Sequence, residues 1–259
     1  MTLRTSWGLA IAFGVACVAG VACGPRDAAA QTAGQLGAWD GLTISPVGAV
    51  APIAHDAGDL ATGVNEVSLR YGRWRYDADD VVHDNIGLSW THGLGFANSR
   101  FTLIGVYEIV ECPTCSAWMM AGANVESTVW THAFASADAR PVTSGAALRF
   151  SFGGGHYLGG GGTSTASVSL EAPIDLSVPL GATSSLCGSI IPGFGFGRIS
   201  STDETASGVL PMIGAAISWK VTSRLNIDVG LERIIISGGP TVVGAALSLE
   251  IGAKRKAHP

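Results

Sequence analysis

The residue pair with the plainest chemistry is Cys112-Pro-Thr-Cys115. Two thiols at this spacing serve redox exchange at the start of a helix, half of a zinc site beside a second such pair, or a local disulfide in an oxidising compartment. The flanking sequence is strand-like, and no second metal-binding pair accompanies it. A disulfide between Cys112 and Cys115 across a loop is the expectation. His83, His92, His132 and His156 are candidates for a general base, which needs a nucleophile and an orienting acid within hydrogen-bond reach. No G-x-S-x-G frame is present to supply the nucleophile. His83 stands in Asp79-Asp80-Val-Val-His83-Asp84, which reads as a solvated acidic loop with weak cation affinity and without the ligand spacing of a calcium loop. His92 and His132 are expected at strand ends. Gly193-Phe-Gly195-Phe-Gly197 has the glycines of a phosphate loop but not its strand-then-helix setting. No catalytic residue, cofactor or metal ligand is assigned, and the chain is expected not to be an enzyme.

The elements that must position these residues are strands. Strand side chains alternate between two faces, so a half-buried strand shows a period of two. From Val168 to Leu180 every even position is apolar, and every odd one except Pro173 and Pro179 is Ser, Glu or Asp. The two prolines exclude a helix, and one of them is expected to mark a bulge or the strand end. Ile213–Lys220, Leu225–Glu232 and Val243–Ile251 alternate in the same way, joined by turns at Val221–Arg224 and Ser237–Pro240. Glu66–Gly72, Asn85–Trp90 and Ala146–Phe152 also alternate. Phe101–Val110 is apolar on both faces, and Trp118–His132 is expected to be split near Gly122 or Asn124. Phe194-Gly-Phe196-Gly points to an inner face lined by backbone. Gly153 to Gly162 reads as a flexible loop, and long loops are expected to alternate with short turns. The sum is an all-β chain of about ten strands, with eight to twelve admissible.

The N-terminus points to export. One early basic residue, Arg4, precedes an uncharged apolar run from Trp7 to Cys23, then Gly24-Pro25 and Ala28-Ala29-Ala30. These are the parts of a signal peptide cleaved after Ala30, and the run is shorter than the roughly 20 residues of a transmembrane helix. A lipoprotein reading would use Cys23. Residues 31–62 form an N-terminal periplasmic or plugging segment, 63–253 the barrel and 254–259 a basic tail. Cleavage would remove Arg4, Arg26 and Asp27, leaving 13 of 15 basic and 19 of 20 acidic residues. That balance offers nothing to nucleic acid. Charged residues are only 14% of the chain, while mean hydropathy is +0.36. A soluble domain carries about a quarter charged residues.

Alternation alone does not say which face is wet. The polar face carries Glu66, Arg70, Arg149, Glu171, Asp175, Lys220, Asp228, Glu232 and Glu250, diluted by Ser, Gly and Ala. Small residues and charges of both signs suit a crowded lumen, where opposite charges pair. A water-facing exterior would carry more Lys and Glu. These nine residues are therefore read as a lumen charge network, inside an antiparallel up-and-down transmembrane β-barrel.

The leader, the hairpin rhythm and Gly244-Ala-Ala-Leu247-Ser-Leu249 resemble small bacterial outer-membrane β-barrel proteins. The resemblance implies outer-membrane lipid as surroundings and the barrel-assembly machinery as a partner during insertion. In that group a terminal aromatic closes the last strand; here Lys254-Arg-Lys-Ala-His-Pro259 follows. Tyr71, Trp90, Tyr107, Trp130 and Trp219 are candidates for its aromatic girdle. About ten strands leave too little space for a wide channel. The expected function is a structural or binding role or a narrow small-solute passage, without general porin activity. The alternatives are a soluble exported barrel for a small ligand and an outer-membrane barrel enzyme acting on lipid.

Overall fold

The computed structural model describes residues 62–75, 82–96, 98–110, 117–134, 141–159, 162–200, 205–235 and 240–252. Among them there is no helix. The strands are β1 (Asn65–Arg75), β2 (Val82–Gly93), β3 (Ser99–Val110), β4 (Trp118–Phe134), β5 (Val142–Tyr157), β6 (Ser164–Glu171), β7 (Ile174–Pro179), β8 (Ser185–Ser200), β9 (Thr205–Lys220), β10 (Leu225–Ile234) and β11 (Thr241–Ile251). Each pairs antiparallel with its neighbours, and β1 pairs with both β2 and β11, which closes the sheet into a barrel.

The barrel has ten staves, because β6 and β7 lie end to end between β5 and β8. Across the gap the register does not move. Arg149 faces Glu171 and Ala146 faces Ile174 on one side; Glu171 faces Gly193 and Ile174 faces Ile190 on the other. Ala147 N donates to Pro173 O at 2.9 Å and Ala172 N to Pro192 O at 2.8 Å. Pro173 lacks an N–H, so it removes one rung without displacing the rest. It marks neither a bulge nor an end; Pro179 is the residue that ends β7.

Three sequence expectations are corrected by the sheet. Trp118–Phe134 is one strand of 17 residues, because Gly122 and Asn124 both have partners on β3 and β5. Its irregularity is the register shift between Thr128 and Trp130. That bulge turns Trp130, His132 and Phe134 onto the outward face. Gly153–Tyr157 belongs to β5 rather than to a loop, since these residues pair with both β4 and, up to His156, β6. Connections between staves hold four to seven residues at both ends, so long loops do not alternate with short turns.

Period-two alternation sorts the wall into two faces. Ser68, Arg70 and Trp74 point inward and are buried, while Leu69 and Tyr71 point outward and are exposed. The same holds for Ser89 and Thr91 against Leu88 and Trp90, and for Asp228 and Glu232 against Val229 and Leu231. The apolar face is the outward one. Leu88 is 60% exposed, Ile190 59% and Ile217 57%. Followed from Leu69 through successive partners around the barrel, the register returns to the line of β1 about twelve positions further along. That stagger tilts the strands by roughly 40° and gives a backbone radius on the order of 10 Å, which side chains can fill.

Candidate functional site: the barrel lumen

Asn65 and Ile251, the outer limits of the paired strands, lie at one end of the barrel. That end is called the terminal end here, and the opposite one the far end. The lumen is divided along its axis. Near the far end its lining is largely apolar, apart from the buried His83, Asn85 and Glu108. Trp74, Ile104, Val106, Trp118, Met120 and Val242 form one buried cluster, with Tyr157 and Ile199 packed against it. Leu210 and Ile234 pack together beside Ile199. This explains why Phe101–Val110 is apolar on both faces: Ile104 and Val106 line the lumen, while Leu103, Tyr107 and Ile109 face outward.

Towards the terminal end the lumen is charged, and its centre is a ladder across four staves. Arg100 on β3 faces Glu126 on β4, Glu126 faces Arg149 on β5, and Arg149 faces Glu171 on β6. The register thus sets four opposite charges in sequence. Arg100 Nη2 lies 2.7 Å from Glu126 Oε1 and Arg149 Nη2 2.7 Å from Glu126 Oε2. Arg149 Nε also donates to Glu126 Oε2 at 2.7 Å, and Arg149 Nη1 donates to Glu171 Oε2 at 3.0 Å. Ser169 Oγ donates to Glu171 Oε1 at 3.0 Å. Glu126 is fully buried, and Arg149 and Glu171 nearly so. Each carboxylate is held by a guanidinium donor, the condition under which burying such charges is tolerable.

Glycine makes room for the ladder. Gly193 on β8 faces Glu171, and a Cβ there would stand 2.8 Å from Glu171 Cγ. Gly195 would meet Met212 Cε at 2.9 Å. The inward residues of Phe194-Gly-Phe196-Gly are therefore the glycines, as the alternation indicates, and the phenylalanines face out.

At the terminal end Lys220 Nζ lies 3.0 Å from Glu250 Oε1. Asn226 Nδ2 donates to Glu66 Oε2 at 3.1 Å and Ser68 Oγ to Glu66 Oε1 at 3.4 Å. Ser248 Oγ joins Ser68 Oγ at 2.8 Å to Asp228 Oδ2 at 3.3 Å. Arg70, Asp175 and Glu232 are also inward and buried. All nine residues assigned to the lumen from sequence thus lie on the inner face. Arg149 and Glu171 meet directly, as do Lys220 and Glu250.

Sequence reasoning missed Arg100, Glu126, Glu108 and His83. His83 is a strand residue of β2, not part of a solvated loop. Its Nδ1 lies 2.9 Å from Glu108 Oε1, with side chains 1% and 2% exposed, and its ring is 4.7 Å from that of Trp74. The signal available was phase: His83, Asn85, Ser89 and Thr91 share one parity. The other described histidines are far apart in the wall. His92 Nδ1 pairs with Asn65 Oδ1 at the terminal end, His132 stacks on Trp130 and meets Phe134 edge-on, and His156 faces outward near the far end. Cys112 and Cys115 lie outside the described residues. Cys187 is buried on the inner face of β8.

Tyr71, Trp90, Tyr107, Trp130 and Trp219 all face outward and are exposed. Trp90, Trp130 and Trp219 lie towards the terminal end, Tyr71 and Tyr107 towards the far end.

No protein-family model matches the chain, and no curated protein matches it. Solved structures similar to it include the N-terminal β-barrel domain of OprF from Pseudomonas aeruginosa, at 13% identity and TM-score 0.34, covering 73% of this chain and 98% of that one. Ail, the attachment invasion locus protein of Yersinia pestis, is 12% identical with TM-score 0.28 and the same coverage. KdgM porin, in complex with disordered oligogalacturonate, is 15% identical with TM-score 0.30, covering 71% of this chain and 99% of that one.

Proposed function

We propose that this chain is an exported outer-membrane β-barrel whose filled lumen gives it a structural or binding role rather than that of a general porin. The observation that carries the reading is the outward apolar wall. Leu, Ile, Val and Phe side chains stand exposed on every stave, between aromatic residues near the two ends. In water such a surface would far exceed the few hundred Å² of contiguous apolar patch that soluble monomers tolerate. In lipid it is what a spanning barrel requires. A closed barrel also leaves no sheet edge to desolvate in hydrocarbon.

The lumen supports the second half of the reading. The ladder of Arg100, Glu126, Arg149 and Glu171 crosses the charged portion, and the cluster around Trp74 and Trp118 packs the apolar one. Wide aqueous channels belong to barrels of about 16 strands and more. The leader read in the first 30 residues supplies export, outer-membrane lipid is the surrounding partner, and the barrel-assembly machinery is the proposed route of insertion. Among the described residues, His83, His92, His132 and His156 are dispersed, which favours a non-enzymatic role.

Two measurements test this. Membrane fractions are run unboiled and boiled on a denaturing gel; a spanning barrel stays folded unboiled and shifts on heating. Recovery as soluble periplasmic protein without a shift would refute the membrane reading. The purified barrel in a planar lipid bilayer is expected to give no porin-sized conductance steps, and regular large steps would refute the filled lumen.

A further inference from the structure

The outward wall is not uniform in charge. Among the strand residues whose side chains are described, its charged members are Arg73, Asp84, Arg198 and Arg233, all towards the far end. The arginines sit on alternate staves, Arg198 on β8, Arg233 on β10 and Arg73 on β1. Neighbouring strands are about 4.8 Å apart and residues about 3.3 Å apart along them. Arg233 and Arg73, two register positions apart, therefore stand on the order of 10 Å from each other, while Arg198, six positions further towards the far end, stands about 20 Å from Arg233. Arg198 faces Ser207 on β9, and Arg233 faces Thr241 on β11. Arg233 Nη1 donates to Thr241 Oγ1 at 3.0 Å. Along this arc, Arg198 and Arg233 thus each have a hydroxyl directly opposite on the next strand. Asp84 lies 3.6 Å from Arg73 Nη1 and accepts from the Tyr71 hydroxyl. Three positive charges against one negative leave the arc basic.

The apolar wall begins directly below. Leu231 precedes Arg233 on the same face, and Val243 lies beside Arg73 across the β1–β11 ladder. A ligand fitting this surface carries anionic oxygens immediately above hydrocarbon chains. A soluble anion would use the arginines but leave the apolar surface below them uncovered.

We propose that Arg73, Arg198 and Arg233 bind the phosphate groups of anionic membrane lipid, so that the far end of the barrel sits in a leaflet's phosphate layer. Guanidinium forks match phosphate oxygens in two-point hydrogen bonds, and the flanking Ser207 and Thr241 hydroxyls add donors. The inference rests on the membrane reading above and adds to it a lipid chemistry and a place on the wall.

The test uses the full chain folded into vesicles of phosphatidylcholine alone and of phosphatidylcholine with phosphatidylglycerol. Lipid that remains with the detergent-extracted protein is then measured at low and high salt. Phosphatidylglycerol is expected to be enriched around the protein, by about fivefold per engaged arginine at low salt and less at high salt. The triple substitution Arg73→Gln, Arg198→Gln, Arg233→Gln should still give the heat-shifted barrel but lose the enrichment. Equal enrichment in the triple variant, or none in the parent barrel, overturns this inference while leaving the membrane reading intact. Failure to enter either vesicle overturns both. A matched triple of outward substitutions at the opposite end (Trp90→Phe, Trp219→Phe, Trp130→Phe) should leave the enrichment unchanged.

Discussion

Arg149 and Glu126 face one another across the β4–β5 ladder, and the guanidinium Nε and Nη2 both lie 2.7 Å from the same carboxylate oxygen, Glu126 Oε2. The same guanidinium reaches Glu171 on the other side. One cation thus holds two buried anions. Replacing Arg149 with Met leaves Arg100 as the cation beside Glu126 and removes the one bonded to Glu171. The expected cost is about 3–5 kcal/mol, the size measured when one partner of a buried pair is removed. Urea unfolding of the barrel in lipid vesicles reads it. A change below about 1 kcal/mol would show that the ladder contributes little.

Gly193 and Glu171 make a second prediction. Gly193→Val pushes a side chain into Glu171, whose Cγ stands 2.8 Å from the Cβ position. Overpacking of this kind costs about 1–3 kcal/mol. Gly188, five residues earlier on the outward face of the same strand, has nothing within 4 Å of its Cβ position. Gly188→Ala should stay within about 0.5 kcal/mol of the parent. The two unfolding midpoints, measured side by side, should separate; coincident midpoints would refute the steric argument.

The buried pair His83 and Glu108 should behave as a unit. His83→Leu alone removes the imidazole partner of the buried Glu108 carboxylate and is expected to destabilise strongly. The double substitution His83→Leu, Glu108→Leu removes both partners and should recover most of the loss, because replacing both partners of a buried hydrogen bond by apolar groups of similar shape is often nearly neutral. A double-mutant cycle in unfolding free energy checks it. Additive single effects would mean that the 2.9 Å contact is not energetically coupled.

Leu88 distinguishes lipid from water as the surroundings of the wall. It is 60% exposed and lies between Leu69 and Gly105 in the register. Leu88→Arg should cost about 2–4 kcal/mol for folding into vesicles if the position lies near the bilayer midplane. The same change on a water-exposed wall would be nearly neutral. Folding yield and unfolding midpoint in vesicles decide between them.

What could be read along the chain was the face to which each residue belongs. Period two is a local property of a strand, so the alternation in Val168–Leu180 put Glu171 and Asp175 on one face, opposite the apolar residues, without knowledge of any neighbour. It also carried the stave count, since Pro173 costs a rung and not a register step. His83 and Phe101–Val110 show the limit of composition as a guide. An acidic neighbourhood made His83 look solvated, and an apolar one hid the phase of β3, because half of this lumen is itself apolar.

The sequence by itself determined an all-β chain of about ten strands, with an apolar face and a small, mixed-charge polar face. Tertiary structure decided which charges meet. Arg100, Glu126, Arg149 and Glu171 are separated by 22 to 26 residues along the chain, and only the pairing of four strands sets them opposite one another. A shift of one residue in any of those registers would send a side chain of the ladder to the other face. That register depends on closing the whole sheet, which is a relation between distant segments and leaves no trace in any one of them.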